Sequence, residues 1–204
     1  MKILFVCQLF YPEQFGVNDI CFTLAEQGHD ITVLTELPNY PKGVILKDYR
    51  WFRKRRELIK GVKVIRVPLI GRGSSKIRLA LNYISYAITA SICVLFMKKK
   101  HDVVMVYQLS PVTMAIPAIV YKLLSGRKIL LYCTDLWPES VVAAGISKNS
   151  MIFKILHELS RWIYSKADKI AISSRLFAKY FKEVLELEGS VEYPPLMQMP
   201  YLRI

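Results

Sequence analysis

Short apolar runs of strand length alternate along this chain with longer segments of helical period. Residues 3–7, 31–35, 62–67, 103–107, 128–133 and 169–172 are rich in Val, Ile, Leu and aromatics and read as strands. Between them the apolar period shifts toward 3.6. Asn18 or Asp19 is placed to cap a helix that runs to Gln27, with Gly28 as its left-handed stop. Further helices are expected over 76–97, over 113–124 despite Pro117, over 150–165 and over 175–187. Strands that alternate with helices imply crossover units and a parallel sheet. The runs are almost wholly apolar, as strands covered on both faces should be. The expected fold class is therefore α/β, a Rossmann-like parallel sheet flanked by helices. In such a sheet the ligand lies beyond the carboxyl ends of the strands.

Composition narrows the class. Of 204 residues, 53% are hydrophobic, which excludes a disordered chain. The length suits one large domain or two small ones. The four cysteines, Cys7, Cys21, Cys93 and Cys133, all lie in apolar runs and are expected to be buried thiols in a reducing compartment. With three histidines and no Cys-x-x-Cys pair, the spacing offers no metal site.

The net charge of +13 is concentrated in one stretch. Residues 40–100 hold 16 Lys and Arg against Asp48 and Glu57, a net of +14, while the remaining 13 bases and 14 acids sum to −1. The densest part runs from Arg50 through Arg53, Lys54, Arg55 and Arg56 to Lys63, with Tyr49, Trp51 and Phe52 interleaved. Such a field attracts phosphate, in a nucleic acid, an anionic membrane or a small substrate, unless it is simply a solvated face.

Residues 79–97 carry no charge and separate that cluster from Lys98, Lys99 and Lys100. The run is just long enough to span a bilayer. Asn82, Ser85 and Thr89 recur on one helical face, which leaves two other readings open: a buried helix, or a helix seated in a membrane surface between Arg72, Lys76, Arg78 and the lysine run. A long apolar helix between basic clusters disfavours nucleic acid as the partner. The N-terminal apolar run is short, is broken by Gln8 and meets no small-residue cleavage site, so it reads as a strand and the chain as cytoplasmic.

Four loops follow the expected strands. The first, 8–18, is too long for a dinucleotide fingerprint and holds one glycine, Gly16, where three are needed. A glycine at a helix start can still bring backbone N–H groups to a phosphate, or it can serve a plain turn. The second loop is 36–43 and the third 108–111. In the fourth, 134–140, Asp135 directly follows an apolar strand, where it can act chemically or cap a turn, and Glu139 is expected to cap the next turn.

These segments resemble the N-terminal half of a glycosyltransferase family 4 enzyme of the GT-B fold. The matching pieces are YPEQFGVND, GHDITVLT, LPNYPKG, GVKVIRVP, DVVMVYQLSP, TDLWPES and RWIYSKADKIAISS, in family order from residue 1 to about 195. LPNYPKG and TDLWPES are similar to bacterial surface-polysaccharide transferases, such as the fucosyl- and fucosamine transferases of colanic-acid and O-antigen assembly. The resemblance implies retaining transfer, without metal or other cofactor, from a nucleotide-diphosphate sugar to a lipid-linked saccharide at the inner face of the membrane. It implies that Gly16 contacts the donor diphosphate, with Phe15 where the family commonly has a second glycine. It implies that Asp135 orients or deprotonates the acceptor hydroxyl, although Thr134 stands where the family usually has His or Arg. Asn18, Asn39, Tyr40, Tyr107, Thr134 and Trp137, on the matching loops, are the expected acceptor contacts. Arg53, Lys54, Arg55, Arg56, Lys76, Arg78, Lys98, Lys99 and Lys100 are expected to meet the anionic membrane.

The family's donor domain carries a Glu-x7-Glu pair, and none of Glu183, Glu186, Glu188 or Glu192 has a glutamate eight residues on. The expected organisation is one domain over 1–192, with 193–204 starting an interdomain linker. On that expectation the chain is a fragment, a truncated product or half of a split enzyme, and inactive alone. A non-catalytic membrane-associated module is the alternative.

Overall fold

The computed structural model describes residues 1–50, 53–143, 145–187 and 191–192. The linker expected over 193–204, and Trp51 and Phe52 of the basic cluster, lie outside the described residues. Among the described residues eight strands form one sheet: β1 (Lys2–Val6), β2 (Asp30–Glu36), β3 (Arg56–Ile59), β4 (Val62–Val67), β5 (Val103–Gln108), β6 (Ile129–Cys133), β7 (Lys169–Ile172) and β8 (Val191–Glu192). Their spatial order is β3-β4-β2-β1-β5-β6-β7-β8, and all neighbours are parallel except β3 and β4. The helices are α1 (Gly16–Glu26), α2 (Lys76–Phe96), α3 (Ile116–Ser125), α4 (Glu139–Ala143), α5 (Met151–Ser165) and α6 (Arg175–Glu183).

Burial explains the strand composition. Ile3, Leu4, Phe5 and Val6 of β1 are all buried although neighbouring side chains point to opposite faces, so helices cover both sides. Each such side chain contributes about 1.5–3 kcal/mol by leaving water. The chain moves outward from β1 through β2 to β4, then crosses back by α2 to β5. The order of strands therefore reverses between β1 and β5, and a crevice opens outside their carboxyl ends.

Four local expectations are corrected. Helix α1 starts at Gly16, so Asn18 is inside it; its amide ties back to the preceding loop instead of capping. The helix expected over 113–124 is divided: a 3-10 turn over Val112–Ala115 leads into α3 at Ile116, with Pro117 in the first turn, where its missing N–H costs nothing, and Gly126 closing the helix in the left-handed region. Helix α6 ends at Glu183, short of 187, and Val191–Glu192 adds a strand. The basic stretch holds an unexpected antiparallel edge strand, β3. Lys60 and Gly61 both take positive φ, 46° and 80°, the two-residue turn whose twist suits a hairpin.

Helix α2 is turned inside out. Its polar and small residues face the protein: Asn82, Tyr86, Ala87, Ala90 and Val94 are buried. Asn82 Nδ2 donates to the carbonyl of Ile70 at 2.9 Å, and Thr89 Oγ1 to that of Pro68 at 2.7 Å. Tyr86 Oη reaches the carbonyl of Cys7 at 3.1 Å. The opposite face presents Ile77, Leu81, Ile84, Ile88, Ile92 and Leu95 to solvent at helical spacing, and Phe96 is 86% exposed. The helix is thus neither wholly buried nor free to leave the sheet. Of the cysteines, Cys7, Cys21 and Cys133 are buried, while Cys93 is only partly so.

Candidate functional site

The loops after β1, β2, β5 and β6 meet at one edge of the sheet, each with a cis X-Pro bond: Tyr11-Pro12, Tyr40-Pro41, Ser110-Pro111 and Trp137-Pro138. Gly16 opens α1 beside the switch point. Phe15 precedes it and offers no side-chain cap, which leaves the first amides of the helix unclaimed by any side chain. A Cβ built on Gly16 would lie 3.0 Å from Tyr107 Oη. Tyr107 in turn packs on Tyr132, and burial raises its phenol pKa.

Asp135 lies across the crevice at the tip of β6. Its carboxylate is held by neutral hydroxyls. Ser110 Oγ donates to Oδ2 through a short contact, and Ser140 Oγ donates to Oδ1 at 2.8 Å. Trp137 Nε1 donates to Ser110 Oγ at 2.7 Å, and Gln108 Nε2 donates to the carbonyl of Asp135 at 2.9 Å. Thr134 Oγ1 is spent on the carbonyl of Gln108 at 2.7 Å. Residues from the tips of two neighbouring strands, β5 and β6, therefore fix one carboxylate.

Between these parts lies a buried polar cluster. Glu13 Oε1 accepts the amides of Asn39 and Tyr40 at 2.8 and 2.6 Å, and Asn39 Nδ2 donates to Glu36 Oε1 at 2.5 Å. Burial raises the pKa of Glu36 well above the usual carboxylate range, and the charge of nearby Glu13 adds to this. Burial also raises Glu13, against the lowering effect of the Tyr40 and Asn39 amides. Arg66 is buried despite its charge; it donates to the carbonyl of Tyr11 at 2.7 Å and to Glu57 at 3.1 Å, and it covers the Tyr49 ring. One unit of the expected surface field is thus structural.

A cavity of about 10 Å³, room for about one water, joins the cluster to the Asp135 side; its lining includes Glu36, Tyr40, Arg72, Tyr83 and Ser110. Tyr40 is 42% exposed, with its ring against Phe15 and under the Arg72 guanidinium. Burial raises the Tyr83 phenol, the Arg72 charge opposes this, and Glu36 and Asp135 reinforce it.

The expected acceptor contacts therefore divide. Tyr40 and Tyr107 remain partly open beside Gly16. Asn18, Asn39 and Trp137 are buried with their polar atoms engaged inside the protein, where they tie loops together and hold Ser110. Tyr83, Ser110 and Ser140 join the site without having been singled out, and Arg72, expected beside a membrane surface, turns to it. Ser110 was legible in part, because it lies on a strand-tip loop; Tyr83, within an apolar helix, carried no such signal.

The basic residues also divide. Arg53, Lys54, Arg56, Lys76, Arg78, Lys98 and Lys100 are exposed, and Lys54 pairs with Asp48 at 3.7 Å. Arg55 is partly buried and donates to the carbonyl of Arg66. Lys99 turns inward and donates to the carbonyls of Val94 and Met97, closing the C-terminal end of α2.

No protein-family profile matches the chain. A stretch of 71 residues is 35% identical to a Pseudomonas aeruginosa protein named probable glycosyltransferase WbjE; it covers 34% of this chain and 17% of that one. Among solved structures, Arabidopsis thaliana UGT89C1 complexed with quercetin aligns at TM-score 0.56 and 11% identity, over 96% of this chain and 50% of its own. The same protein complexed with UDP aligns at TM-score 0.53 over 49% of its length. CalG4, the calicheamicin glycosyltransferase, aligns at 0.50 with 13% identity over 52%. The chain spans about half the length of these structures. Its fold is that of GT-B glycosyltransferases, and part of its sequence is glycosyltransferase-like.

Proposed function

We propose that this chain is the acceptor-binding half of a retaining GT-B glycosyltransferase. The donor is a nucleotide-diphosphate sugar held mainly by a second domain, and the acceptor is a lipid-linked saccharide of O-antigen, capsule or exopolysaccharide synthesis. The work is done at the inner face of the cell membrane, with the domain boundaries as expected: residues 1–192, then linker.

The observation that carries this reading is the two-sidedness of α2. Its inward face brings Asn82 and Tyr83 to the strand-tip cluster. Its outward face is an apolar stripe about 30 Å long, on a rise of about 1.5 Å per residue, ended by Lys76 and Arg78 on one side and Lys98 and Lys100 on the other. One helix can thus lie in an anionic bilayer surface and hold the acceptor site at its level.

In the proposed step the acceptor hydroxyl oxygen bonds to the sugar anomeric carbon on the face from which the diphosphate departs, as the bond to the diphosphate breaks, so the configuration is retained. Asp135 orients that hydroxyl and takes its proton, and the electron pair leaves with the diphosphate. The open N-terminal turn of α1 at Gly16 receives the diphosphate charge. Tyr40 and Arg72 give the acceptor sugar a ring face and a cation.

The test joins this chain to a donor-binding half and measures sugar transfer to a lipid-linked acceptor on anionic vesicles. Transfer and vesicle binding are expected, with Ile88→Ser/Ile92→Ser losing vesicle binding and Asp135→Asn losing transfer. Vesicle binding without transfer would favour the non-catalytic module and overturn the catalytic reading; transfer indifferent to Asp135→Asn would overturn the role given to Asp135.

A further inference from the structure

At the opposite end of the strands from Asp135 lies a second site. A groove of about 690 Å³ opens between the C-terminal end of α2, the β3–β4 hairpin and the start of β5. Arg56, Lys63, Lys98 and Lys100 line it. Lys63 is paired with Asp30 at 2.6 Å, and the acidic lining residue Glu57 is held by Arg66. Arg56, Lys98 and Lys100 make no ion pair with any described residue. Three cations thus line one groove without an ion-pair partner among the described residues, although the Asp30 carboxylate feels the charge of Lys100. The other wall is apolar, built by Ile65, Cys93, Phe96 and Met97, and through Phe96 it continues onto the outward stripe of α2.

His101 supplies an independent observation. It lines the groove, is 2% exposed, and its Nε2 has no hydrogen-bond partner. His101 Nδ1 and Tyr121 Oη lie 2.9 Å apart, and Tyr121 Oη also accepts the His101 amide at 3.3 Å. In the tautomer in which the phenol donates to Nδ1, Nε2 carries the ring proton and has no acceptor. Burial, reinforced by Lys100, lowers the His101 pKa to about 4, which keeps the ring neutral at pH 7. In that tautomer an unsatisfied buried donor stands next to cations without ion-pair partners, an arrangement that suits an oxyanion.

We propose that this groove binds the phosphate of an anionic glycerophospholipid, with His101 Nε2 and the Arg56, Lys98 and Lys100 cations around the headgroup and the acyl chains along Phe96 and the α2 stripe. The site builds on the membrane-facing reading of α2 and adds a defined lipid to it. It needs no reaction and no contact with the strand-tip site.

Cys93 gives a native probe, because it lines the groove and the other three cysteines are buried. The full chain is treated with a maleimide in the presence of dihexanoyl phosphatidylglycerol below its micelle concentration. Lipid at about ten times its Kd leaves about a tenth of the chain free, so labelling of Cys93 should slow about tenfold. Dihexanoyl phosphatidylcholine and inorganic phosphate should not slow it at the same concentration. Arg56→Gln/Lys98→Gln/Lys100→Gln should lose the protection at an unchanged melting temperature, while Arg53→Gln/Lys54→Gln keeps it. No protection, or equal protection by phosphatidylcholine, overturns the proposal; equal protection by inorganic phosphate assigns the groove to a free anion and overturns the lipid. A chain that binds anionic vesicles without protection keeps the membrane reading and loses the groove. A chain protected by monomeric lipid yet indifferent to vesicles loses the membrane reading instead.

Discussion

At the strand-tip edge, Glu36 meets its partners inside the protein, whereas Asp135 keeps one side toward the crevice. Glu36 is closed in by Asn39 and Gln8 and shares its surroundings with Glu13, so burial favours its neutral form. Asp135 is held by the hydroxyls of Ser110 and Ser140, which fix its direction without a competing cation. Side-chain chemistry is nearly the same in the two places, and surroundings decide the role. An enclosed carboxyl with internal donors organises loops; an accessible one with both oxygens aimed can meet a substrate hydroxyl.

The widest separation is expected in transfer rate. In a chain joined to its donor-binding half, Asp135→Asn should lower turnover by about 10²–10⁴-fold, the range for loss of a positioned acid–base group. Glu36→Gln keeps the shape and the bond from Asn39 to a carbonyl oxygen, and should change turnover far less. Steady-state kinetics on both variants, with melting temperatures to confirm folding, would break the contrast if Glu36→Gln proved the more damaging.

Stability should show the reverse order. Glu13→Ala strips the acceptor from the amides of Asn39 and Tyr40 and leaves them buried without partners. The cost should be about 1–3 kcal/mol, and each kcal/mol corresponds to about 2–4 °C of melting temperature in a chain of this size. Asp135→Asn, half-exposed and still able to accept from a serine, should melt within about 2 °C of the parent on the same scale. Thermal denaturation checks both.

Much of the frame was legible because burial on both faces forces nearly continuous apolar strands, and β1, β2, β5 and β6 have them. Strand β3 was not, since Arg56, Glu57 and exposed Leu58 give an edge strand no such signature; the signal in reach was Lys60-Gly61 between two β-rich runs. Asp135 was visible from its place after an apolar run. The dependence of Glu36 on Glu13 and Asn39 was not, because loops far apart in sequence create it. Asn82, Ser85 and Thr89 revealed a polar face on α2 without its direction. That direction follows from the backbone groups of Pro68 and Ile70, which need partners where the helix lies.

The smallest expected effect is a slope. The native pKa of Glu36 is raised above its ordinary 4.5, so between that value and the native one the folded chain holds a proton that the unfolded chain has released. Stability from this group is therefore fully present below about pH 4.5 and is lost as pH rises through that window, by at most about 1.4 kcal/mol per pH unit. Glu36→Gln removes the titrating proton and keeps the fold. Its melting temperature relative to the parent should rise as the pH climbs above about 4.5 and level off once the native Glu36 has ionised, and the difference should be smallest at the acid end. Glu13 titrates in the same surroundings and its charge raises Glu36, so Glu13→Gln should flatten part of the same slope. A Glu36→Gln difference that did not grow with pH would place the proton elsewhere and erase the distinction between the enclosed carboxyl and Asp135.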